Sequence, residues 1–209
     1  NPALIDFGDD AAKVHGGAVL YLALEGTREV VEAEERLTLA ICDEGRGRRL
    51  SQAEAERFWR ERHVIAYHFM HNRRLRRERG SAPIRRDWIH VALPASKVLA
   101  FRRAAMKVVS KRGVRLQESG LWTQPELFSM RLATEEMRVE QAQLVLEDTV
   151  EELLRLVQEM GGSMEYCHGV GVKLAPLMAD EHGYGLEVMR QIKKALDPNN
   201  IMNPGKMGL

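Results

Sequence analysis

The 209-residue sequence predicts an α+β fold: an antiparallel sheet with helices packed on one face, followed by a helical C-terminal segment and tail. Two patterns carry that expectation. Short apolar runs bounded by Gly or Pro are interspersed with longer stretches of three-and-four spacing, the mixture expected when strands and helices share one core. From Gly161 onward the punctuation changes. Gly161, Gly162, Gly169 and Gly171 surround His168, and Asp197-Pro198-Asn199-Asn200 and Asn203-Pro204-Gly205 close the chain. Glycine permits positive φ or close backbone approach, and Pro followed by Asn or Gly is turn chemistry.

Taken in order, residues 1–16 are polar and mixed and read as a linker from a preceding domain. Ala18 to Leu24 is a short apolar run between Gly17 and Gly26, which predicts a buried strand over 18–25. Thr27 is placed to cap a helix whose apolar side is Val30, Ala33, Leu37 and Ile41, ended by Gly45 and Gly47. Ser51-Gln52-Ala53-Glu54 is a capping-box pattern. It opens a second helix carrying Ala55, Phe58, Trp59, Ile65 and Phe69. Arg73 to Arg86 is a basic run, read as a solvated loop or helix end, or as a docking surface for another domain or an anion. No aromatic residues interleave there as a nucleic-acid stacking platform would require.

Trp88 to Leu93 alternates and reads as a strand closed by Pro94. Ser96 caps the next helix, whose inner face is Val98, Phe101, Ala105 and Val108. Two strands, 114–119 and 126–132, flank a loop from Gly120 to Pro125. Thr134 caps the longest helix, 134–160, with Val139, Ala142, Leu146, Val150, Leu153, Val157 and Met160 on one side. Gly161 and Gly162 end it, and a short strand comes next. This order supplies ferredoxin-like elements.

Composition bounds the function. Apolar residues at 44% and charged residues at 29% are ordinary for a globular chain. A net charge of +1 gives no global attraction to nucleic acid or a membrane surface. Cys42 and Cys167 lie far apart without metal-ligand spacing, which points to a reducing compartment, the cytoplasm. No apolar run approaches the roughly 20 residues of a membrane span. No signal peptide is expected, and the start at Asn1-Pro2 without Met points to a fragment or a processed chain.

His168 is the leading candidate for chemistry, because an imidazole serves as acid, base or donor near neutral pH. The competing reading is a histidine hydrogen-bonded within its own turn. His68 and His71 read as neighbours on a helix face, not as a metal site. Cys167, with no partner at redox spacing, reads as a packed small residue.

Gly161-Gly162-Ser163, His168-Gly169-Val170-Gly171 and the later run from Ala195 to Lys206 resemble the C-terminal end of FAD-linked oxidases of the vanillyl-alcohol-oxidase type. That family includes D-lactate and glycolate dehydrogenases and alkylglycerone-phosphate synthase. Leu24-Glu25-Gly26, Trp59 to Arg62 and Gly120 to Glu126 extend the likeness. The resemblance implies a cap or substrate domain over 17–160 and a C-terminal segment, 161–209, that contacts an N-terminal FAD-binding domain of the same polypeptide. It implies oxidation of a small alcohol or hydroxy-acid substrate. His168 and Tyr166 would be catalytic, Arg62 would bind substrate, and Gly169, Gly171, Asn203 and Lys206 would meet FAD. No metal is implied, and a homodimer stays open.

The departures bear on the branch. Cys167 stands where the hydroxy-acid dehydrogenases carry Glu, and their upstream metal-linked histidine motif is missing. Of the synthases' three consecutive histidines, Tyr166-Cys167-His168 keeps the last. Their acid tyrosine has no match in Leu127 to Arg131, which leaves Tyr166 or Tyr67 as substitutes. His-Gly-Val-Gly and the loop Trp122-Thr123-Gln124-Pro125-Glu126 look closer to the synthase-like branch. The alternatives are therefore an alkyl-transferring synthase-like flavoenzyme, or a non-catalytic interaction module that has lost its flavin domain.

Overall fold

The computed structural model describes residues 18–62, 71, 74, 85–134 and 138–209. The chain divides into two compact units, Asn1–Ala82 and Pro83–Leu209.

In the first unit the described residues form two helices, α1 (Arg28–Glu44) and α2 (Gln52–Glu61). The capping box at Ser51 forms as the sequence predicts. Its Oγ accepts from Glu54 N at 3.3 Å, and the Glu54 carboxylate accepts from Ser51 N at 3.0 Å. Thr27 occupies the N-cap of α1 without a side-chain bond. The strand expected over 18–25 does not form. Leu20 and Leu22 are exposed, and Tyr21 instead stacks on Phe58 with ring centroids 3.9 Å apart. A strand needs a neighbour to satisfy its N–H and C=O groups, and no described residue of this unit pairs with it. The apolar sides of α1 and α2 are likewise not buried: Val30, Leu37, Ile41, Phe58 and Trp59 are exposed. Ile65, Tyr67, His68 and Phe69 lie outside the described residues, as does most of the basic run; its last members, Arg85 and Arg86, belong to a strand.

The second unit is built as β1 (Arg85–Ala92), α3 (Ala95–Lys111), β2 (Arg115–Trp122), β3 (Gln124–Thr134) and α4 (Val139–Glu159). The sheet is antiparallel with strand order β1-β3-β2. The expected loop between the second and third strands shrinks to a turn on Thr123, at φ 62°. Thr134 is the buried last residue of β3 and not a helix cap, and α4 starts only at Val139. Ser96 is likewise no cap, since α3 begins at Ala95 behind Pro94.

Alternation decides which face is the core. Ile89 and Val91 of β1 and Phe128, Met130 and Leu132 of β3 point to one face. There they meet Val98, Phe101, Ala105 and Val109 of α3 and Leu146, Val150, Leu153 and Val157 of α4. On α3 the fourth contact is Val109, with Val108 only partly buried. The other face of the sheet carries Trp88, His90, Ser129 and Arg131, with His90 opposite Ser129 and Trp88 opposite Arg131.

The end of α4 sets the course of the C-terminal segment. Gly162 N donates to Val157 O and Gly161 N to Gln158 O, both at 2.9 Å, with Gly161 at φ 73°. This is a Schellman end, which favours glycine at the left-handed position. Ser163 then pairs with Ala92 on the free edge of β1, N–H to O in both directions at 2.8 and 3.0 Å. The short strand expected here is reduced to that single bridge. Gly162 sits in the seam: a Cβ on it would lie 2.5 Å from Ala92 O, 2.7 Å from Leu93 Cδ2 and 2.8 Å from Val157 Cγ1.

Gly162→Ala is therefore predicted to cost about 1–3 kcal/mol, the usual cost of overpacking. Leu153, fully buried, should lose about 2–5 kcal/mol as Ala. Leu153→Asp, which buries an unpaired carboxylate, should not fold. Urea unfolding followed by circular dichroism measures all three, and a cooperative Leu153→Asp transition at the parental midpoint would show that α4 does not pack as described.

Candidate functional site

The segment after Gly162 is held by carboxylates acting on backbone N–H groups. Glu181, on the short helix α5 (Met178–His182), accepts from Ser163 Oγ at 2.7 Å, Met164 N at 3.0 Å and Gln158 Nε2 at 3.1 Å. Glu165 turns inward, with 10% of its side chain exposed. Its Oε1 accepts from Cys167 N at 2.7 Å and His168 N at 2.9 Å. A carboxylate taking two backbone donors makes strong, charge-assisted bonds. The turn bearing His168 is thus pinned from beneath.

Above the pin, the His168 side chain is 63% exposed, with Nδ1 3.9 Å from Glu165 Oε1. The expected glycine-lined turn is present. Gly169 and Gly171 take φ 76° and 60°, and a Cβ on either would meet nothing within 4 Å. These glycines serve backbone handedness, and the space beside them is left open by this chain.

Tyr166, partly buried, binds its backbone N to His90 O at 3.2 Å. Burial first, then Cys167 and Glu165, pushes its phenol above the ordinary tyrosine range. It is therefore a neutral donor at physiological pH. Cys167 is an exposed free thiol, with Sγ 3.8 Å from His168 Nε2. The expectation of a packed cysteine fails, because the turn points its side chain outward while Glu165 occupies the interior.

The tail closes onto the same turn. Asn203 and Gly205 adopt φ 49° and 76°, and Met207 N donates to Gly171 O at 2.7 Å. Lys206 is exposed, and its backbone N bonds to Asn203 O at 3.2 Å. Asn203 and Lys206 thus belong to the segment that returns to the glycines. Upstream of it runs α6 (Tyr184–Leu196), which leaves Tyr184, Val188, Ile192 and Leu196 exposed along one side. Arg62, in the first unit, lies with its guanidinium carbon 3.8 Å from the Trp59 ring centroid and donates to Trp59 O.

Sequence reasoning missed five participants. His90 lies next to the turn, its ring 4.5 Å from that of His168. Glu165 and Glu181 hold the backbone, and Lys173 Nζ bonds to Asp87 Oδ2 at 2.5 Å, tying the turn's end to β1. Only His90 left a readable sign, its place on the polar side of an alternating strand. Among the described residues no cluster of three or more metal-ligating side chains occurs. No described helix is long and apolar enough to cross a membrane.

Comparison with known proteins gives a consistent picture. The family described as FAD linked oxidases, C-terminal domain, matches residues 3–207. Glycolate oxidase subunit GlcD of Bacillus subtilis is 26% identical over 223 residues, covering 99% of this chain and 45% of its own length. The alkyldihydroxyacetonephosphate synthase of Trypanosoma brucei brucei is 45% identical over 47 residues, 22% of this chain and 8% of its own. The mitochondrial D-lactate dehydrogenase [cytochrome] of Arabidopsis thaliana is 47% identical over 49 residues, 23% of this chain and 9% of its own. The chain spans less than half the length of these relatives.

Asp197 supplies a prediction independent of chemistry. Its buried carboxylate accepts from Lys193 Nζ, from Ile201 N at 3.0 Å and from Met202 N at 2.9 Å. Lys193 foremost, then the two backbone donors, depresses it from 3.8 to about 2. The folded chain binds fewer protons here, so this stabilisation is complete above the unfolded value and is lost as pH falls through the folded one. Acid unfolding should show an extra loss of stability between about pH 4 and 2 that Asp197→Asn lacks. Superimposable pH profiles would dismiss the role.

Proposed function

Because the chain belongs to the family of FAD linked oxidases through their C-terminal domain, we propose that it is the substrate-facing part of an FAD-dependent oxidoreductase acting on a small alcohol or hydroxy acid, with His168 as proton acceptor. The observation that carries the reading is His168 itself: an exposed imidazole on a pinned turn beside two glycines with open space next to them. Such a surface fits a flat ring, since no Cβ would stand between it and the backbone of Gly169 or Gly171. Asn203 and Lys206, on the returning tail, are the further residues we assign to the cofactor.

Oxidising an alcohol to a carbonyl removes a proton from oxygen and a hydride from carbon. FAD, when bound, supplies the acceptor for the two electrons. The chain's residues handle the proton and the orientation. His168 takes the hydroxyl proton, and Glu165 Oε1, 3.9 Å from Nδ1, faces the imidazolium that results. Tyr166 holds a neutral hydroxyl nearby as a donor. Arg62, a residue of the first unit, is assigned the substrate carboxylate on the family resemblance alone, since a guanidinium suits that group.

The partner we assign is an FAD-binding domain of the same polypeptide. The exposed stripe Tyr184, Val188, Ile192 and Leu196 on α6 supports it as a face that burial would complete. A homodimer through this stripe is the competing arrangement. Alkyl transfer, the reaction class suggested by the synthase relative's name, is the second reading, with Tyr166 as acid.

In the FAD-loaded enzyme, His168→Gln should slow flavin reduction by glycolate or D-lactate by roughly 10²–10⁴-fold, the scale of a positioned acid–base group. Cys167→Ser should change it little. Anaerobic stopped-flow absorbance reads both variants. A parental rate in His168→Gln would remove the histidine from the chemistry, and loss of reduction in Cys167→Ser would transfer it to the thiol. Titrating the 209-residue chain alone with FAD should show no tight binding, and sub-micromolar affinity would relocate the cofactor site into this domain.

A further inference from the structure

Two imidazoles meet at this site, and only one belongs to the glycine turn. His90 projects from β1, on the side of the sheet away from the core, in register with Ser129. Its ring centroid lies 4.5 Å from that of His168, with planes inclined by 55°. Tyr166 stands edge-on to the same ring at 6.0 Å and 84°. The carbonyl of His90 also receives the Tyr166 N–H at 3.2 Å, so strand and turn are joined at this residue by backbone as well as by rings. His90 is thus the place where a hydrogen-bonded strand touches the exposed side chain of the turn.

We propose that His90 is the positioning residue of His168: the strand-borne ring sets the angle of the exposed one, and the two rings carry no more than one proton between them. This deepens the reading of His168 as proton acceptor and rests on it. Two cations in ring contact repel strongly, and a strand cannot swing one away as a loop could. Half-burial, and after it the neighbouring His168, holds His90 below the ordinary histidine range, while Glu165 opposes them. His90 is therefore neutral near pH 7 and leaves His168 free to take the substrate proton.

Other charged and titratable groups surround the pair. Glu165, Tyr166 and Cys167 come from the turn. From the sheet, Arg131 lies opposite Trp88, with its guanidinium carbon 5.3 Å from that ring's centroid and 3.8 Å between its Nη1 and Glu118 Oε2. Asp87 is paired with Lys173. Of the groups facing His90, those that shift its titration are His168 and Glu165, besides burial itself. The acid limb of the activity profile then belongs to the pair: a proton that the two rings have already taken from solvent leaves them unable to accept one from the substrate.

The direct test uses the chain itself. Imidazole resonances followed through a pH titration should place the midpoint of His90 below that of an ordinary histidine. His168→Gln should raise it, and Glu165→Gln should lower it further. In the FAD-loaded enzyme, with glycolate or D-lactate as substrate, His90→Ala should slow flavin reduction by roughly 10–100-fold, the scale of a misplaced group. His90→Phe, which keeps a flat ring but cannot titrate, should recover part of that loss while shifting the acid limb. A His90 midpoint unmoved by His168→Gln, or a His90→Ala enzyme with the parental rate and acid limb, would overturn the pairing. If the resonances are coupled yet His168→Gln reduces flavin normally, the failure lies with His168 as proton acceptor.

Discussion

The seam where the end of α4 meets the edge of β1 governs the rest of the second unit. Gly162 lies against Ala92 O, Leu93 and Val157 with no room for even one more carbon. That closeness lets Ser163 pair with Ala92, and it starts the next segment along the edge of β1. Tyr166 can then bond to His90, which sets His168 against His90. The geometry of the candidate site is thus inherited from a packing constraint several residues away.

Beyond the seam the stretches between helices have little regular structure, and there carboxylates take the place of a ladder. Glu181 holds residues 163 and 164, Glu165 holds 167 and 168, and Asp197 holds 201 and 202. Each accepts at least one backbone N–H that no helix or sheet bond provides for. Backbone donors near the surface must be satisfied somewhere, and charged acceptors do so with short, directional bonds. Apolar burial contributes alongside them, with Met164, Leu174, Leu177, Met178 and Leu186 reaching the core. Order in this segment therefore rests on charge more than order in the sheet does.

Strong periodicity is legible in the sequence. The helix faces of α3 and α4, the three strands of the second unit and the capping box at Ser51 come from spacing and cap chemistry alone. The glycine turn with its exposed histidine is legible too, through its composition. Failures come where a tertiary partner decides the outcome. Residues 18–25 have the composition of a buried strand, yet Leu20 and Leu22 are exposed, since composition cannot supply a neighbouring strand. Thr134 looks like a helix cap, but the pairing of β3 with Arg85 carries the strand through it. Cys167 looks like a core residue because its smallness says nothing about the direction a pinned turn gives it. His90 and Glu165 escape notice for the same reason, as their partners are set by the fold and not by spacing.

The glycines of this region answer to two different demands, with a consequence for how the sequence can drift. At Gly169 and Gly171 the demand is handedness, and the surroundings are empty. Asparagine, which tolerates the left-handed region better than other residues, could stand there for about 1 kcal/mol of backbone strain. At Gly162 the demand is volume, so no other side chain is an approximate answer. Random substitution followed by selection for folding alone should therefore leave position 162 fixed while 169 and 171 wander. Selection that also requires catalysis would show whether the open space beside 169 and 171 is put to use. The difference between the two outcomes would separate what this chain needs in order to stand from what it needs in order to work.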